Sequence, residues 1–258
     1  MTQELILIKL GGSVITDKSK PYTFQEQVAQ TLIKQIKKAN KPVLIAHGAG
    51  SFAHTSAKKY GGTHGYTNTL GISHVSKDAR ELNQLIISEF LAEDMPAVSF
   101  SPMSMIVSDK GKTVGQFFES LEETIKQGII PVVFGDVIWD KTWKSTIYSG
   151  ERVLNDIAFF LLKKKYPITK IIQVGKTSGV YDTVGKTIPH ITQENWPTLR
   201  KMVFGSDETD VTGGMEHKVI QAITLAKQGL STLLINGTKE NELSKALLGE
   251  RVEGTLIS

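Results

Sequence analysis

The sequence predicts an α/β fold built on a mainly parallel sheet with helices on both faces, and three observations point to it. Short apolar runs that read as strands buried on both sides alternate along the whole chain with longer segments of helical periodicity. Several of these runs end in glycine turns, and in open parallel sheets the carboxyl ends of strands are where ligands bind. The chain has 258 residues, 40% hydrophobic and 22% charged, which is the composition of a soluble protein able to bury a large core.

The first run, Leu5-Ile6-Leu7-Ile8, is continuous rather than alternating, and Lys9-Leu10-Gly11-Gly12-Ser13 stops it, giving a strand over Leu5–Leu10. Periodicity predicts a helix over Phe24–Lys38. Pro42–His47 is a second apolar strand that runs into the turn His47-Gly48-Ala49-Gly50, with Ser51 placed to cap a following helix. Helical spacing returns over Val75–Glu93, and Ala97–Ser101 reads as a short strand. Ser104–Gly115 and Ile138–Ser149, the second with two tryptophans, read as hairpins or lids. Phe117–Gln127 is a helix stopped by Gly128, because glycine takes the left-handed C-terminal conformation without a Cβ penalty. Ile129–Phe134 is a strand ending at Gly135-Asp136, Val153–Lys165 a helix and Lys170–Val174 a strand. Met215–Gln228 is a helix stopped by Gly229, Thr232–Ile235 a strand ending at Asn236-Gly237, and Gly254–Ile257 the last strand. No internal repeat, low-complexity segment or linker divides the chain, so a single domain over residues 1–258 is expected.

Composition excludes several classes. The net charge of +4 comes from scattered lysines with only 7% aromatic residues, which argues against nucleic acid. Lys34, Lys37 and Lys38 fit a solvated helix face, and Lys163-Lys164-Lys165 fits the negative end of a helix dipole. The absence of cysteine rules out disulfides, thiolate metal sites and a cysteine nucleophile. No apolar stretch approaches the roughly 18–20 residues of a membrane span, and Lys9 with its glycines cuts the first run short of a signal peptide. A cytoplasmic protein without a membrane partner is expected.

The chemistry gathers at the glycine turns. Lys9-Leu-Gly-Gly-Ser13 puts bare backbone and an ammonium at a strand end, which suits an anion, and Lys18 follows on the next loop. In His47-Gly-Ala-Gly-Ser-Phe-Ala-His54, small residues at 48, 49, 50 and 53 leave room for a ligand, and His54 lies about one turn into the following helix. Gly135-Asp136-Val137 and Ser149-Gly150-Glu151 are two more turns at that edge. Asp210-Val-Thr-Gly-Gly-Met-Glu-His-Lys218 opens a helix with Lys218 one turn in. Each segment alone fits an ordinary turn; several turns with lysines among them fit a polyphosphate site better. Gly175-Lys176-Thr177 and Gly185-Lys186-Thr187 look like P-loop ends, but Lys170 and Val180 occupy the required upstream glycine positions, so no Walker site is present. His64, His74 and His190 have no comparable setting and read as surface or core residues. No histidine spacing suggests a transition metal.

With these segments assembled, the chain resembles the isopentenyl phosphate kinases of the amino acid kinase superfamily over nearly its whole length. The carrying segments are KLGGSVITDK (Lys9–Lys18), HGAGSFAH (His47–His54), PVVFGDV (Pro131–Val137), YSGE (Tyr148–Glu151), DVTGGMEHK (Asp210–Lys218) and LINGT (Leu234–Thr238). The resemblance implies a three-layer αβα sandwich of the carbamate kinase type, about eight mostly parallel strands, and a homodimer. It places an acceptor site in an N-terminal lobe of about residues 1–165 and a nucleotide site in a C-terminal lobe of about 166–258. It implies ATP with Mg²⁺ carried on its phosphates, and a small phosphate acceptor, since the G-S-F-x-H histidine marks phosphate-accepting members. By resemblance, Lys9, Lys18 and Lys218 would neutralise the transferring phosphoryl group, with His54 as the fourth catalytic residue. Gly11, Gly12 and Gly214 would supply backbone donors, and Ser13, Gly50, Lys176, Gly179, Tyr181 and Gly213 would complete the nucleotide site. Gly48, Ala49, Ala53, Gly135, Asp136, Ser149 and Gly150 would surround the acceptor. The acceptor's chain length is expected to depend on the helix holding Leu82, Leu85, Ile86 and Phe90.

Three departures from the family pattern stand out. Ala49 and Ala53 replace glycines; Lys176-Thr177-Ser178 stands where aspartates are common; and Glu151-Arg152 follows Ser149-Gly150 where an acidic pair is common. Another small phosphate or phosphonate as acceptor, or a nucleotide sensor without catalysis, are the competing readings.

Overall fold

A computed structural model of the chain describes residues 4–61, 66, 68–204 and 213–258. In chain order the first elements are β1 (Leu5–Leu10), α1 (Gly12–Ile15), α2 (Glu26–Ala39), β2 (Val43–His47), α3 (Gly50–Tyr60), α4 (Thr69–Ala92) and β3 (Ala97–Phe100). Then come α5 (Pro102–Met105), β4 (Ile106–Asp109), β5 (Lys112–Gln116), α6 (Glu119–Lys126), β6 (Ile130–Phe134), β7 (Asp136–Asp140), β8 (Lys144–Tyr148) and α7 (Gly150–Lys163). The last are β9 (Ile168–Gly175), β10 (His190–Ile191), α8 (Trp196–Phe204), α9 (Gly213–Ala226), β11 (Thr232–Asn236), α10 (Glu242–Leu248) and β12 (Gly254–Ile257).

The main sheet has eight strands in the order β10-β12-β11-β9-β1-β2-β6-β3. The pairs from β11 through β3 are parallel, and β12 turns back antiparallel to β11. All six residues of β1 are buried, because helices cover both faces of this central strand. Successive side chains alternate between faces. Ile6, Ile8 and Leu10 pack with α2, α4 and α10, whereas Leu5 and Leu7 pack with α6, α7 and α9. Lys9 therefore points to the α7 side. The predicted three-layer αβα sandwich is present.

The two predicted hairpins join into one small sheet, β5-β4-β7-β8, with β4 parallel to β7. The differences from expectation lie at helix ends, at the unpredicted two-residue strand β10, and at Asp136, which opens β7 rather than sitting in a turn. α4 starts at Thr69 because the Asn68 side chain accepts the Leu70 N–H (2.9 Å), and α7 starts at Gly150 because Ser149 accepts from Arg152 (3.3 Å). Ser51 does not cap α3; it lies in the first turn, and its Oγ accepts the Thr23 N–H at 3.1 Å. The short helices α8 and α10 had no strong periodic signal; α10 is held by Leu243, Ala246 and Leu247 in the core shared with α2.

Candidate active site

The turns after the parallel strands are fastened to one another at a single sheet edge. The Gly11 N–H donates to the Val174 carbonyl (2.8 Å), Gly48 to Leu10 (3.1 Å), Gly135 to His47 (2.9 Å) and Gly237 to Gly175 (2.9 Å). These donors are spent in the frame, which corrects the expectation that the Gly11 amide serves a ligand. The space beside the second turn is also filled. A Cβ on Gly12 would lie 2.7 Å from the Gly50 nitrogen, and one on Gly48 would lie 2.9 Å from the Gly12 nitrogen. The small residues there let two backbones meet, rather than leaving a vacancy for a ligand. Gly214, in the first turn of α9, differs: a Cβ there would meet no described atom within 4 Å.

The three lysines singled out in the sequence act on one another here. Lys9 is 4% exposed and ion-paired with Glu151 in the first turn of α7. Lys218 lines a narrow slot with Lys9, Gln173, Val174, Gly175 and Thr177. Burial lowers the Lys218 pKa, and the positive charges of Lys9 and Lys18 lower it further against the pull of Glu151. Burial alone would raise the Glu151 pKa. The ammonium of Lys9, aided by Lys218, holds it below the carboxylate range instead. Like charges held close in a slot would be stabilised by an incoming anion. Glu151 was missed as a functional residue. Its signal was an acid at the start of a helix on the sheet face toward which Lys9 points.

His54 sits on α3, and its Nδ1–H donates to the Gly50 carbonyl at 2.5 Å. A carbonyl only accepts, so this bond assigns the ring proton to Nδ1 and leaves Nε2 for a ligand. Displaced water around the ring lowers the His54 pKa, and the nearby Lys18 ammonium lowers it further. Beside it, Ala53 is buried with Tyr66, Ile72, Val75, Ala79, Phe134 and Val137 in an apolar cluster between α3, α4 and the sheet edge. Leu82, Ile86 and Phe90, expected to gauge acceptor length, instead belong to the core shared with α2, with Leu85 packed against it. Asp136 is buried and accepts from the Ser76 hydroxyl (3.1 Å) and its neighbour's N–H on Val137 (2.8 Å). Burial pushes its pKa up to about 7.

The remaining predicted residues fall around this edge. Ser13 lies in α1, Ala49 precedes α3, and Ser149 and Gly150 open α7. Lys176 is exposed on the loop after β9, and its charge, with that of Lys20, acts on Asp17 across the site. Gly179, at φ +123°, is explained by Thr255: a Cβ there would lie 2.2 Å from the Thr255 hydroxyl. The Tyr181 hydroxyl accepts the Ser178 N–H at 3.0 Å, closing the loop on itself. Gly213 begins α9, while Asp210, Val211, Thr212 and His64 lie outside the described residues. His74 stacks on Tyr60 and His190 bonds Ser258, both apart from the slot. Among the described residues no group of three or more His, Asp or Glu is placed to hold a metal ion, and no helix is long and apolar enough to cross a membrane.

Comparison with known proteins bears on the fold and the family. The model of the amino acid kinase family matches residues 4–236. Isopentenyl phosphate kinase of Methanocaldococcus jannaschii is 31% identical, with 98% of each chain covered. That of Methanothermobacter thermautotrophicus is 29% identical over 98% of this chain and 99% of its own. An X-ray structure of an isopentenyl phosphate kinase superposes with a TM-score of 0.83 at 26% identity, covering 98% of this chain and all of the other. A matching family model over most of the chain, relatives matched end to end and a shared three-layer frame lead to one assignment: the chain belongs to the amino acid kinase family.

Proposed function

We propose that this protein transfers the γ-phosphoryl group of ATP to isopentenyl phosphate, giving isopentenyl diphosphate and ADP. The observation that carries this reading is the position of His54. Its free nitrogen lies next to the Lys18 charge and beside a cluster of apolar side chains, while Lys9 and Lys218 form the cationic slot. A ligand with one phosphate and a short hydrocarbon tail matches that pairing of a charged and an apolar surface. The full-length similarity to isopentenyl phosphate kinases supports the same substrate.

In this reading the acceptor phosphate meets His54 and Lys18, and the ATP phosphates meet Lys9, Lys218 and the open backbone at Gly214. Glu151 holds Lys9 in place between turnovers. Phosphoryl transfer depends mostly on positioning and charge neutralisation, which three spaced lysines supply. The acceptor oxygen of a phosphate monoester is already largely ionised at neutral pH, so no general base is required. Mg²⁺ would enter as a passenger on the ATP phosphates and would offset part of their charge, since Glu151 is engaged by Lys9 and Asp136 by Ser76.

A coupled assay of ADP release tests the proposal. Addition of isopentenyl phosphate to protein and MgATP is expected to raise ADP release far above the acceptor-free rate. Release no faster than without acceptor, from well-folded protein, refutes it.

A further inference from the structure

Lys18 reaches the site from an exposed loop, and the structure spends a buried carboxylate on holding that loop. Thr16 and Phe24 bridge antiparallel, the Asp17 N–H donates to the Thr23 carbonyl (2.9 Å), and Gln25 donates to Ile15 (2.9 Å). Residues 16–24 thus form a small hairpin-like loop with Lys18 near its tip. Its returning limb is docked on α3 and α4. The Thr23 N–H donates to Ser51 (3.1 Å), and the Tyr22 ring meets Phe52 edge-on with centroids 5.7 Å apart. The Tyr22 hydroxyl donates to Asp78 Oδ2 at 2.9 Å, and Ser56 donates to the same oxygen.

Asp78 is only 3% exposed, and a carboxylate is costly to bury without donors. Apolar residues would serve the α3–α4 contact, as Ala53 and Val75 already do. Here the charge sits where it can take the Tyr22 hydroxyl, with the solvent-facing Lys77 ammonium near its other oxygen at 3.5 Å. Tyr22 itself has φ +50°, a left-handed backbone that a bulky residue adopts only when its surroundings hold it there. Both ends of its side chain are held, the ring by Phe52 and the hydroxyl by Asp78.

We propose that Tyr22 and Asp78 are positioning residues of the phosphoryl-transfer site, a clasp that sets the Lys18 ammonium between His54 and Lys218. The proposal rests on the kinase reading for the role of Lys18, and Lys18 is the charge that links the clasp to both neighbours. Misplacement of one cation by about an ångström is enough to slow transfer severalfold to a hundredfold.

Two readouts of Tyr22→Phe, which keeps the ring on Phe52, decide the matter. In steady-state kinetics kcat is expected to fall about tenfold with the KM for ATP changed less than twofold. In an NMR titration the His54 ring is expected to titrate at higher pH than in the parent protein, because Lys18 no longer presses on it. Asp78→Asn should reproduce both changes. Combined with Lys18→Ala, Tyr22→Phe should cost nothing further, since both changes remove one function. A normal kcat, an unmoved His54 titration, or an undiminished tenfold loss in the Lys18→Ala background each overturns the clasp. Inactivity of the parent protein toward isopentenyl phosphate would overturn the proposed function instead, and the His54 titration would still decide the clasp.

Discussion

At the scale of the residue, the bond from His54 to the Gly50 carbonyl leaves one ring nitrogen open, which is what the proposed role in anion binding needs. Donation from Nδ1 to the Gly50 carbonyl fixes both ring orientation and tautomer, so Nε2 is presented without a search through rotamers. In the free protein burial, and then Lys18, opposes protonation of the ring; in the proposed role a bound phosphate would reverse that preference and draw a proton onto Nε2. His54→Ala removes one charge-assisted hydrogen bond to the acceptor, worth about 1.5–3 kcal/mol, or roughly a 10- to 100-fold loss. The loss is expected in kcat/KM for isopentenyl phosphate, with ATP affinity by calorimetry within twofold of the parent. An equal loss of ATP affinity would contradict the role given to His54. The lysines and this histidine were legible in the sequence because each sits at a fixed offset from a glycine turn. Glu151 was not, because its partner Lys9 is remote in sequence and only the alternation of β1 shows that both face α7.

At the scale of the element, the site is a set of turns wedged against one another, and its glycines differ in what surrounds them. Gly150, where α7 begins, would bring a Cβ to 2.5 Å from the His47 carbonyl oxygen, which is backbone and has little freedom to yield. Gly150→Ala is therefore expected to shift the start of α7, destabilise the fold by about 1–3 kcal/mol in urea titrations, and disturb the Glu151–Lys9 pair. Gly214 has no such neighbour among the described residues. Gly214→Ala should leave stability unchanged or slightly raised, since alanine favours helix, while raising the KM for ATP. If Gly214→Ala unfolds the protein, or Gly150→Ala is silent, this division fails. β1, β2, β3, β6, β9, β11 and β12 could be read from short apolar runs, with β1 and β12 residue for residue. The two-residue β10 has no such run, and β4, β5, β7 and β8 read only as hairpins. Which glycine serves packing and which serves a ligand could not be read, because that depends on atoms supplied by other turns. Leu82, Ile86 and Phe90 lie in the core rather than facing a ligand for a related reason: periodicity shows that α4 has an apolar face, not what that face touches.

At the scale of the whole molecule, two buried groups, His47 at the end of β2 and Asp136 at the start of β7, oppose each other in acid. His47 is fully buried, bonded to Gly48 and Asn83 and stacked on Phe134. Burial lowers its pKa from 6.5 to about 4. Between those values the unfolded chain holds the proton and the native protein does not, so this group makes stability rise with pH. Asp136 behaves oppositely. Burial raises its pKa from 3.8 to about 7, the native protein holds the extra proton in that window, and stability falls as pH rises. From pH 4.5 to 6.5 each group contributes a change of about 2 kcal/mol, of opposite sign. The two nearly cancel, and His54, whose pKa burial also lowers, adds to the His47 side. Asp136→Asn keeps an acceptor for Ser76 but removes the titration, so it should expose the His47 slope. The variant should be about 2 kcal/mol less stable at pH 4.5 than at pH 6.5, against a nearly flat parent over the same range. Urea unfolding at the two pH values measures this directly, and a variant as flat as the parent would show that the two groups do not compensate.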